Sequence, residues 1–269
     1  MSSIKKPKIS IFILCAIVIV AIFGSLLYTV SPYQFNKSAI LQAPSLQHIM
    51  GTDRLGRDIL ARVIKGAQAS LLIGVGSAVI ASIIGLVYGV IAGYFKGWWD
   101  KTFVLVVDIF LTFPTFFLLL TLVSYIDASS LILIIIIAIT GWMGTARLIR
   151  SQSYQISSQP YIKVLKIAKV PKFKIIFKYF LPILGPIFFV SFSFGVSGAI
   201  LAESGLSYLG LGVAPPNMSW GSILSDGKSV MQIAWWVSFF PGLMIFLVTF
   251  SLIQISDYLQ KLFNQKSIN

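Results

Sequence analysis

Side chains that bind metals or form cross-links are scarce in this chain. Among its 269 residues there are one cysteine, Cys15, and one histidine, His48. A single cysteine excludes a disulfide framework, and one cysteine and one histidine are too few for a site built from Cys and His ligands. We therefore expect no metal site and no catalytic residue in this chain, and a protein that is not an enzyme.

Charge is also scarce, and acidic charge most of all. Charged residues make up 11% of the chain, with 8 Asp and Glu against 21 Lys and Arg, whereas hydrophobic residues make up 57%. Soluble domains carry about 25% charged residues, so this composition predicts an integral membrane protein. The net charge of +13 does not then indicate a nucleic-acid partner, because Lys and Arg collect on the cytoplasmic side of membrane proteins.

Six apolar runs are long enough to cross a bilayer, which takes about 20 helical residues. They cover 9–30, 70–94, 103–126, 130–149, 181–202 and 236–256, with a tight turn expected around Asp127. The first run is longer than the apolar core of a signal peptide and lacks a small-residue cleavage site after it, so we interpret it as a retained span. The predicted fold class is an all-α integral membrane protein with six transmembrane helices.

The basic residues predict the orientation. With the N-terminus inside, fifteen of the 21 Lys and Arg residues fall on the cytoplasmic side. This predicts cytoplasmic termini, external segments at 31–69 and 203–235, and a cytoplasmic loop at 150–180. The expected units are the first span with its external loop at 1–69, a transmembrane domain at 70–260 and a cytoplasmic tail at 261–269.

The loop at about 157–180 carries six lysines, and no acid occurs between Ala128 and Ala202. Pro160 suits a first helical turn, with Ser157 or Ser158 as its cap, and Pro171 interrupts the helix. Helical spacing predicts two short amphipathic segments, whose apolar faces are Tyr161, Val164, Leu165 and Ala168, and then Phe173, Ile176, Phe177 and Phe180. Such segments either lie on anionic membrane lipid or dock into a cytoplasmic partner.

Small residues recur at every fourth position of the second span. They are Ser77, Ala81, Gly85, Gly89 and Gly93, and they form one stripe along the helix. Small side chains let two helices approach closely in lipid. We expect this stripe to pack against another helix of the same chain, and a contact with a partner subunit is the alternative.

Few ionisable residues lie inside the predicted spans. Asp108 is the one clear ionisable group inside a span, and we interpret it as a buried structural carboxylate paired with a helix end or a neighbouring chain. An ATP-independent secondary carrier is the alternative that such a group keeps open. The segment 221–229, GSILSDGKS, is not a phosphate-binding loop, because five residues instead of four separate its glycines.

Several segments resemble the inner permease subunits of ATP-binding-cassette importers for dipeptides, oligopeptides and nickel. They are HIMGTDRLGRDILARVIKGAQASLLIG, AGYFKGWWDK, VDIFLTFP, ILAESGLSYLGLGVAPPNMSWGSIL and WWVSFFPGLMIFLVTFSLIQISDYL, and they recur in order over nearly everything after Leu46. The resemblance, to the second or C-type permease, implies a type I importer (MetI-like) transmembrane domain in a bacterial cell membrane. It also implies a heterodimer with a homologous permease, two cytoplasmic ATPases that bind ATP and Mg²⁺, and an external solute-binding protein.

The resemblance places the ATPase coupling helix in the lysine loop. The contacts it implies are Tyr161, Lys163, Val164, Leu165, Lys166, Lys169 and Pro171. The family pattern Tyr-Val-Glu-Ala-Ala-x-x-x-Gly aligns on YIKVLKIAK, so that Lys163 replaces the Glu and Lys169 replaces the Gly. The expected ATPase therefore presents an acidic or neutral groove opposite Lys163.

The resemblance allows two classes of solute. The short N-terminus and the altered loop favour nickel or another metal carried as a metallophore chelate, and small peptides are the alternative. Asp53, Arg54, Arg57 and Asp58 are expected to form a local ion-pair cluster, with contact to solute or its binding protein as the alternative. Glu203, Pro215, Pro216, Trp220 and Gly221 are expected to set the fold of their loop. Glu203, near the pore mouth, and Asp108 complete the candidate pore contacts.

Overall fold

The structure, a computed structural model, describes residues 6–126 and 129–266, in which the extended regular elements are helical. The helices are α1 (Lys8–Leu27), α2 (Ile59–Phe95), α3 (Gly97–Thr112), α4 (Thr115–Ser124), α5 (Ser130–Ser158), α6 (Pro160–Ile167), α7 (Lys172–Ile175), α8 (Leu181–Tyr208), α9 (Trp220–Gly227) and α10 (Trp236–Lys266). A π-helical turn, Ile176–Phe180, joins α7 to α8. The turn predicted around Asp127 lies outside the described residues.

Five helices in the described part are long and apolar enough to cross a membrane, and α3 with α4 makes a sixth if the two count as one span. This confirms the predicted all-α membrane fold. Several helices are longer than the predicted spans. Hydropathy marks only the apolar stretch of a helix, and a helix can continue through polar residues at its ends. The start of α2 is an example, since the Asp58 carboxylate accepts a hydrogen bond from the Ala61 N–H at 2.9 Å and so caps the helix.

The third predicted span is not one continuous helix. Its two halves, α3 and α4, meet at an angle of 78°. Phe113 between them is extended, with φ −90° and ψ 134°. Pro114 explains the break, because proline has no N–H to donate and disfavours helical backbone at the residue before it.

The long helices run alternately between two ends of the molecule. The cap end carries the segments 28–58 and 209–235, with α9 lying among them. The lysine end carries α6, α7 and the π turn. The start of α1 lies beside α10, where the Ser10 hydroxyl donates to Gln254 at 3.5 Å, so both helices reach the lysine end.

The predicted stripe of small residues packs against α5 of the same chain. A Cβ added at Gly93 would lie 2.4 Å from the Ser153 Cβ, and one added at Gly89 would lie 2.8 Å from the Ala146 carbonyl oxygen. The two backbones are therefore as close as they can be without side chains between them. This confirms the prediction that the stripe contacts the chain's own helix.

The apolar core is divided along the bundle. At the cap end, the fully buried Trp220 lies in a cluster with side chains from α2, α8 and α10. At the lysine end, Phe180 and Ile162 are fully buried against Tyr94 and Ile149, which fixes the lysine loop to α2 and α5. Both loop systems are thus anchored by apolar side chains as well as by polar contacts.

Gly89→Ala tests the close approach of α2 and α5. The added methyl group would overlap α5, so we expect a loss of about 1–3 kcal/mol in the free energy of unfolding. Gly144→Ala is the control, because a Cβ at Gly144 meets nothing within 4 Å. Alanine there favours the helix by up to about 1 kcal/mol. Equal unfolding midpoints for the two purified variants in detergent would contradict this packing.

Candidate functional site

The motif GTDRLGRD forms a closed turn at the cap end. Asp53 is buried, and its Oδ1 accepts hydrogen bonds from the backbone N–H groups of Leu55 and Arg57, at 2.8 and 3.0 Å. Gly56 has φ +69°, and a Cβ there would lie 1.9 Å from the Asn36 carbonyl oxygen. The second glycine of the motif is therefore required by the backbone.

Two arginines join this turn to α9. The Asp53 Oδ2 accepts from Arg57 Nε at 2.7 Å and from Arg62 Nη1 at 2.5 Å. Both guanidinium groups also reach the Asp226 carboxylate, at 3.2 and 2.8 Å. These four residues, which we call the Asp53 network, link the segment before α2 to the end of α9.

The predicted ion-pair cluster is correct for Asp53 and Arg57 and wrong for Arg54 and Asp58. Arg54 is exposed and makes no ion pair within the described ranges. Sequence reasoning missed Arg62 and Asp226. Proximity in the sequence finds only local pairs, and Asp226 lies 164 positions from Arg62.

Asp58 holds a second junction. Besides capping α2, its Oδ2 accepts from the Tyr28 hydroxyl at 3.0 Å and lies 2.9 Å from His48 Nδ1. Burial, then the negative charge of Asp58 and this hydrogen bond, raise the pKa of Tyr28 to about 12. The junction joins the end of α1 to the start of α2.

Glu203 lies buried inside the cap end, as expected of a residue that sets the fold of this loop. Its side chain has no exposed surface, and its Oε1 accepts from the hydroxyls of Ser207 and Ser219, both at 2.6 Å. Ser219 in turn caps α9, because its hydroxyl accepts from the Ser222 N–H at 3.1 Å. In this conformation Glu203 therefore joins α8 to α9, and we call these contacts the Glu203 junction.

Trp220 extends the Glu203 junction to α2. Its backbone N–H donates to the Ser70 hydroxyl, and its indole Nε1–H donates to the Val63 carbonyl, both at 3.0 Å. A Cβ at Gly221 would lie 2.6 Å from the Ser204 Cα. Trp220 and Gly221 thus set the position of α9, as predicted.

A groove between α2, α4, α5 and α8 is the candidate passage for solute. Its volume is about 230 Å³. The wall contains only uncharged and mostly small residues: Ser77, Ala78, Ala81, Thr115, Leu119, Ile137, Thr140, Gly141, Gly195, Gly198, Ala199 and Ala202. Most of this wall is apolar, because Ser77 is buried and the Thr140 hydroxyl donates to the Ile136 carbonyl, and the wall carries no fixed charge.

Asp108 does not line this groove, and it is not buried. Its side chain is 56% exposed and pairs with Arg147 of α5. The prediction of a buried carboxylate is therefore wrong, because Arg147 supplies a charge partner at the helix surface. A second pair, between Arg150 Nε and Asp100 at 2.5 Å, also joins α3 to α5.

The lysine loop contains the two predicted helical segments, α6 and the short α7 with its π turn. Pro160 occupies the first turn of α6, as expected. The predicted serine caps are wrong, because Ser157 and Ser158 belong to α5 and the residue before α6 is Gln159. Partial burial, and then the nearby charge of Lys96, lower the pKa of Lys166 in this loop.

The apolar face predicted for α6 is mostly turned outward. Of that face, Tyr161 is 42% exposed and Val164 is 63% exposed. Ile167, which the prediction left out of the face, is 81% exposed, whereas the fully buried residue of this helix is Ile162. Ala168 is exposed as well, and Leu165 is half-buried. Of the predicted face, Leu165 packs against the core of the lysine end, whereas the other three residues are turned outward. Helical spacing cannot distinguish an exposed apolar face from a core face.

The apolar face predicted for the second segment is divided. Phe180 is fully buried and Ile176 is half-buried, but Phe173 and Phe177 are exposed. The π turn rotates this segment relative to a regular helix, so one face does not stay in register with the core.

Lys169 ends α6 in a conformation that suits glycine. Its φ is +54°, and the Val170 N–H donates to the Leu165 carbonyl while the Lys169 N–H donates to the Lys166 carbonyl, both at 3.1 Å. These two bonds form a Schellman motif. The tight turn is thus retained although lysine occupies the position where glycine was expected, and the break comes two residues before Pro171.

Asp53→Asn tests the Asp53 network. The variant leaves the guanidinium of Arg62, only 4% exposed, without its buried carboxylate, so we expect a loss of about 3 kcal/mol in the free energy of unfolding. Asp226→Asn is the control, because the Asp226 side chain is 40% exposed and its ion pairs contribute about 1 kcal/mol or less. Similar losses in denaturant unfolding of both variants would contradict a central role for Asp53.

Lys169→Gly tests the turn after α6. Glycine adopts positive φ without the cost of about 1–2 kcal/mol that a Cβ imposes, so amide hydrogen exchange at 165–170 should slow about fivefold. The control is Lys163→Gly, inside α6, where glycine costs about 1 kcal/mol and exchange should quicken. Unchanged or faster exchange in Lys169→Gly would show that lysine imposes no strain there.

Comparison with known proteins agrees with this architecture. Residues 85–269 match the family model described as binding-protein-dependent transport system inner membrane component. The oligopeptide transport system permease protein OppC of Mycobacterium tuberculosis is 33% identical over 248 residues, covering 90% of this chain and 85% of that protein.

Two dipeptide transport system permease proteins named DppC are similar over almost the whole chain. The one from Alkalihalophilus pseudofirmus is 36% identical over 267 residues, which are 98% of this chain and 88% of that protein. The one from Bacillus subtilis is 33% identical over 270 residues, 98% and 83% of the two chains. The chain therefore belongs to the binding-protein-dependent transport system inner membrane components, as a multi-pass membrane permease of an ATP-binding-cassette importer and not an enzyme.

Proposed function

We propose that this chain forms half of the translocation pore of an ATP-driven importer of short peptides. The names of the similar proteins support peptides, since those of Mycobacterium, Alkalihalophilus and Bacillus are oligopeptide or dipeptide permeases. This replaces nickel or a metal chelate as the favoured solute, because that expectation rested on the altered lysine loop and the short N-terminus, and the comparisons do not support it.

The observation that carries the proposal is the composition of the groove between α2, α4, α5 and α8. Glycine, alanine, serine and threonine predominate in its wall, which contains no charged side chain. Peptides share a backbone but differ in the size and charge of their side chains, so a passage for many peptides needs room without fixed charges. Selection between solutes then belongs to the external solute-binding protein.

The lysine loop supplies the surface for a cytoplasmic ATPase. Val164 and Ile167 form an exposed apolar strip on α6, and lysines without acidic neighbours flank it. An amphipathic helix of this kind docks into a groove on a partner protein. The excess of basic residues at this end favours its location in the cytoplasm. One ATPase would bind here and a second on the homologous permease, and ATP with Mg²⁺ would be bound by those subunits.

Helix α8 connects this surface to the groove. It begins at the π turn of the lysine loop, lines the groove with Gly195 and Gly198, and ends at the Glu203 junction. Movement of the lysine loop with an ATPase would therefore shift the groove wall. Rigid movement of α8 against α2 and α5 would expose the groove to one side and then to the other.

Gly198→Leu tests the groove. A Cβ at Gly198 meets nothing within 4 Å, so the leucine side chain can enter the groove without overlap in the fold. Reconstituted with its partner subunits in vesicles, this variant should lose most ATP-dependent uptake of a labelled dipeptide. Gly185→Leu is the matched control, because Gly185 is also on α8 with open space around it, but outside the groove.

Three outcomes would contradict the proposal. Equal uptake by Gly198→Leu and Gly185→Leu would remove the groove from the path of the solute. ATP-dependent uptake of a nickel chelate without uptake of dipeptide would restore the metal interpretation. Uptake by the purified chain alone, driven by an ion gradient, would favour a secondary carrier.

A further inference from the structure

A basic cavity lies at the lysine end, between the end of α2 and the turn that joins α6 to α7. Its volume is about 530 Å³. The side chains that matter for its chemistry are Tyr94, Phe95, Lys166, Lys169 and Lys172. This cavity is separate from the groove proposed for solute, which has no charged residue in its wall.

Two of the three lysines, Lys166 and Lys172, are held in place without an acidic partner. Lys166 Nζ donates to the Ser157 hydroxyl at 3.0 Å and lies 4.4 Å from the centre of the Tyr94 ring. Lys172 Nζ lies 5.1 Å from the centre of the Phe95 ring. The ion pairs found in the described ranges involve none of these lysines.

The charges in this region repel one another. Partial burial, and then the charge of Lys96, lower the pKa of Lys166, and the opposite charge of an anion in the cavity would favour the protonated lysine again. Lys96 itself is turned toward α5, where its Nζ lies 3.8 Å from the centre of the Tyr154 ring. The cavity is therefore a concentration of positive charge with aromatic rings on its α2 side.

Exposed aromatic residues place this cavity near the membrane surface. Trp98 and Trp99, at the start of α3, are 69% and 54% exposed, and the Trp99 ring lies 6.5 Å from the Phe95 ring. Tryptophan side chains concentrate where acyl chains meet the headgroups. An anion that reaches the three lysines from the membrane would pass beside these rings.

We propose that this cavity binds the phosphate group of an anionic phospholipid. The lysines would contact the phosphate, and the lipid chains would lie along the exposed aromatic and aliphatic side chains of α2 and α3. A bound lipid would join the end of α2 to the lysine loop and restrict the movement of that loop. The cavity borders the exposed strip at Val164 and Ile167, and the family resemblance counts Lys166 and Lys169 among the ATPase contacts, so a bound lipid would lie beside the docked ATPase.

The experiment measures lipid retained by the purified full-length chain, by native mass spectrometry in detergent. The probes are phosphatidylglycerol and phosphatidylcholine with the same acyl chains, and inorganic phosphate serves as the free anion. We expect preferential binding of one phosphatidylglycerol. Lys166→Gln/Lys172→Gln should weaken it about tenfold or more, given the contribution of each basic residue at an anionic membrane surface.

The matched control is Lys163→Gln/Lys174→Gln, which removes two exposed lysines from the same loop but outside the cavity. The control should keep most of the preference for phosphatidylglycerol. Equal weakening in both double variants would overturn the proposal, since it would show diffuse attraction to the whole loop. Displacement of the lipid by millimolar inorganic phosphate would show that the cavity is a site for the free anion.

The wild-type chain tests the proposal even if the variants fold poorly. No preference for phosphatidylglycerol over phosphatidylcholine would overturn it. A preference that disappears only when the ATPase is added would show that an acidic protein surface, and not lipid, occupies the cavity in the complex.

Discussion

The close contact of α2 with α5 is the constraint on which the rest of the fold depends. In lipid, helices gain little from burying apolar surface against each other, so association needs close packing. Gly85, Gly89 and Gly93 provide it, because any side chain at these positions would overlap α5. With α5 fixed on one side, the N-terminal part of α2 holds α9 through the contacts of Trp220.

The two ends of the molecule use polar groups in opposite ways. At the cap end the buried polar groups find partners inside the chain, as ion pairs in the Asp53 network and as hydrogen bonds from serines in the Glu203 junction. At the lysine end most cations have no acidic neighbour and the apolar strip on α6 is uncovered. A cap whose buried charges are mostly paired and an opposite end with unpaired lysines are consistent with a permease that moves at one end when a partner binds there. Helix α8 continues directly from the lysine loop and carries Glu203 near its other end.

Much of the fold could be predicted from the sequence, because spans, caps and helix periodicity are local. The six apolar runs, the small-residue stripe and the loop with two helical segments were all recognisable. Contacts distant in sequence were not, such as Arg62 with Asp226 and Glu203 with Ser219. The break at Pro114 was missed because apolar residues continue on both sides of the proline. Hydropathy does not show whether the helix axis changes direction within such a run.

The sequence also could not show which apolar residues of α6 pack against the core, because a core face and a docking face have the same periodicity. Coupling of transport to ATP hydrolysis, as proposed above, requires that the exposed face of α6 is a docking face that binds the ATPase. A photo-reactive amino acid at Ile167, which is 81% exposed, should cross-link to the ATPase in the assembled complex, whereas one at the fully buried Ile162 should not. Cross-links from position 167 only to lipid or to the solute-binding protein would contradict the account.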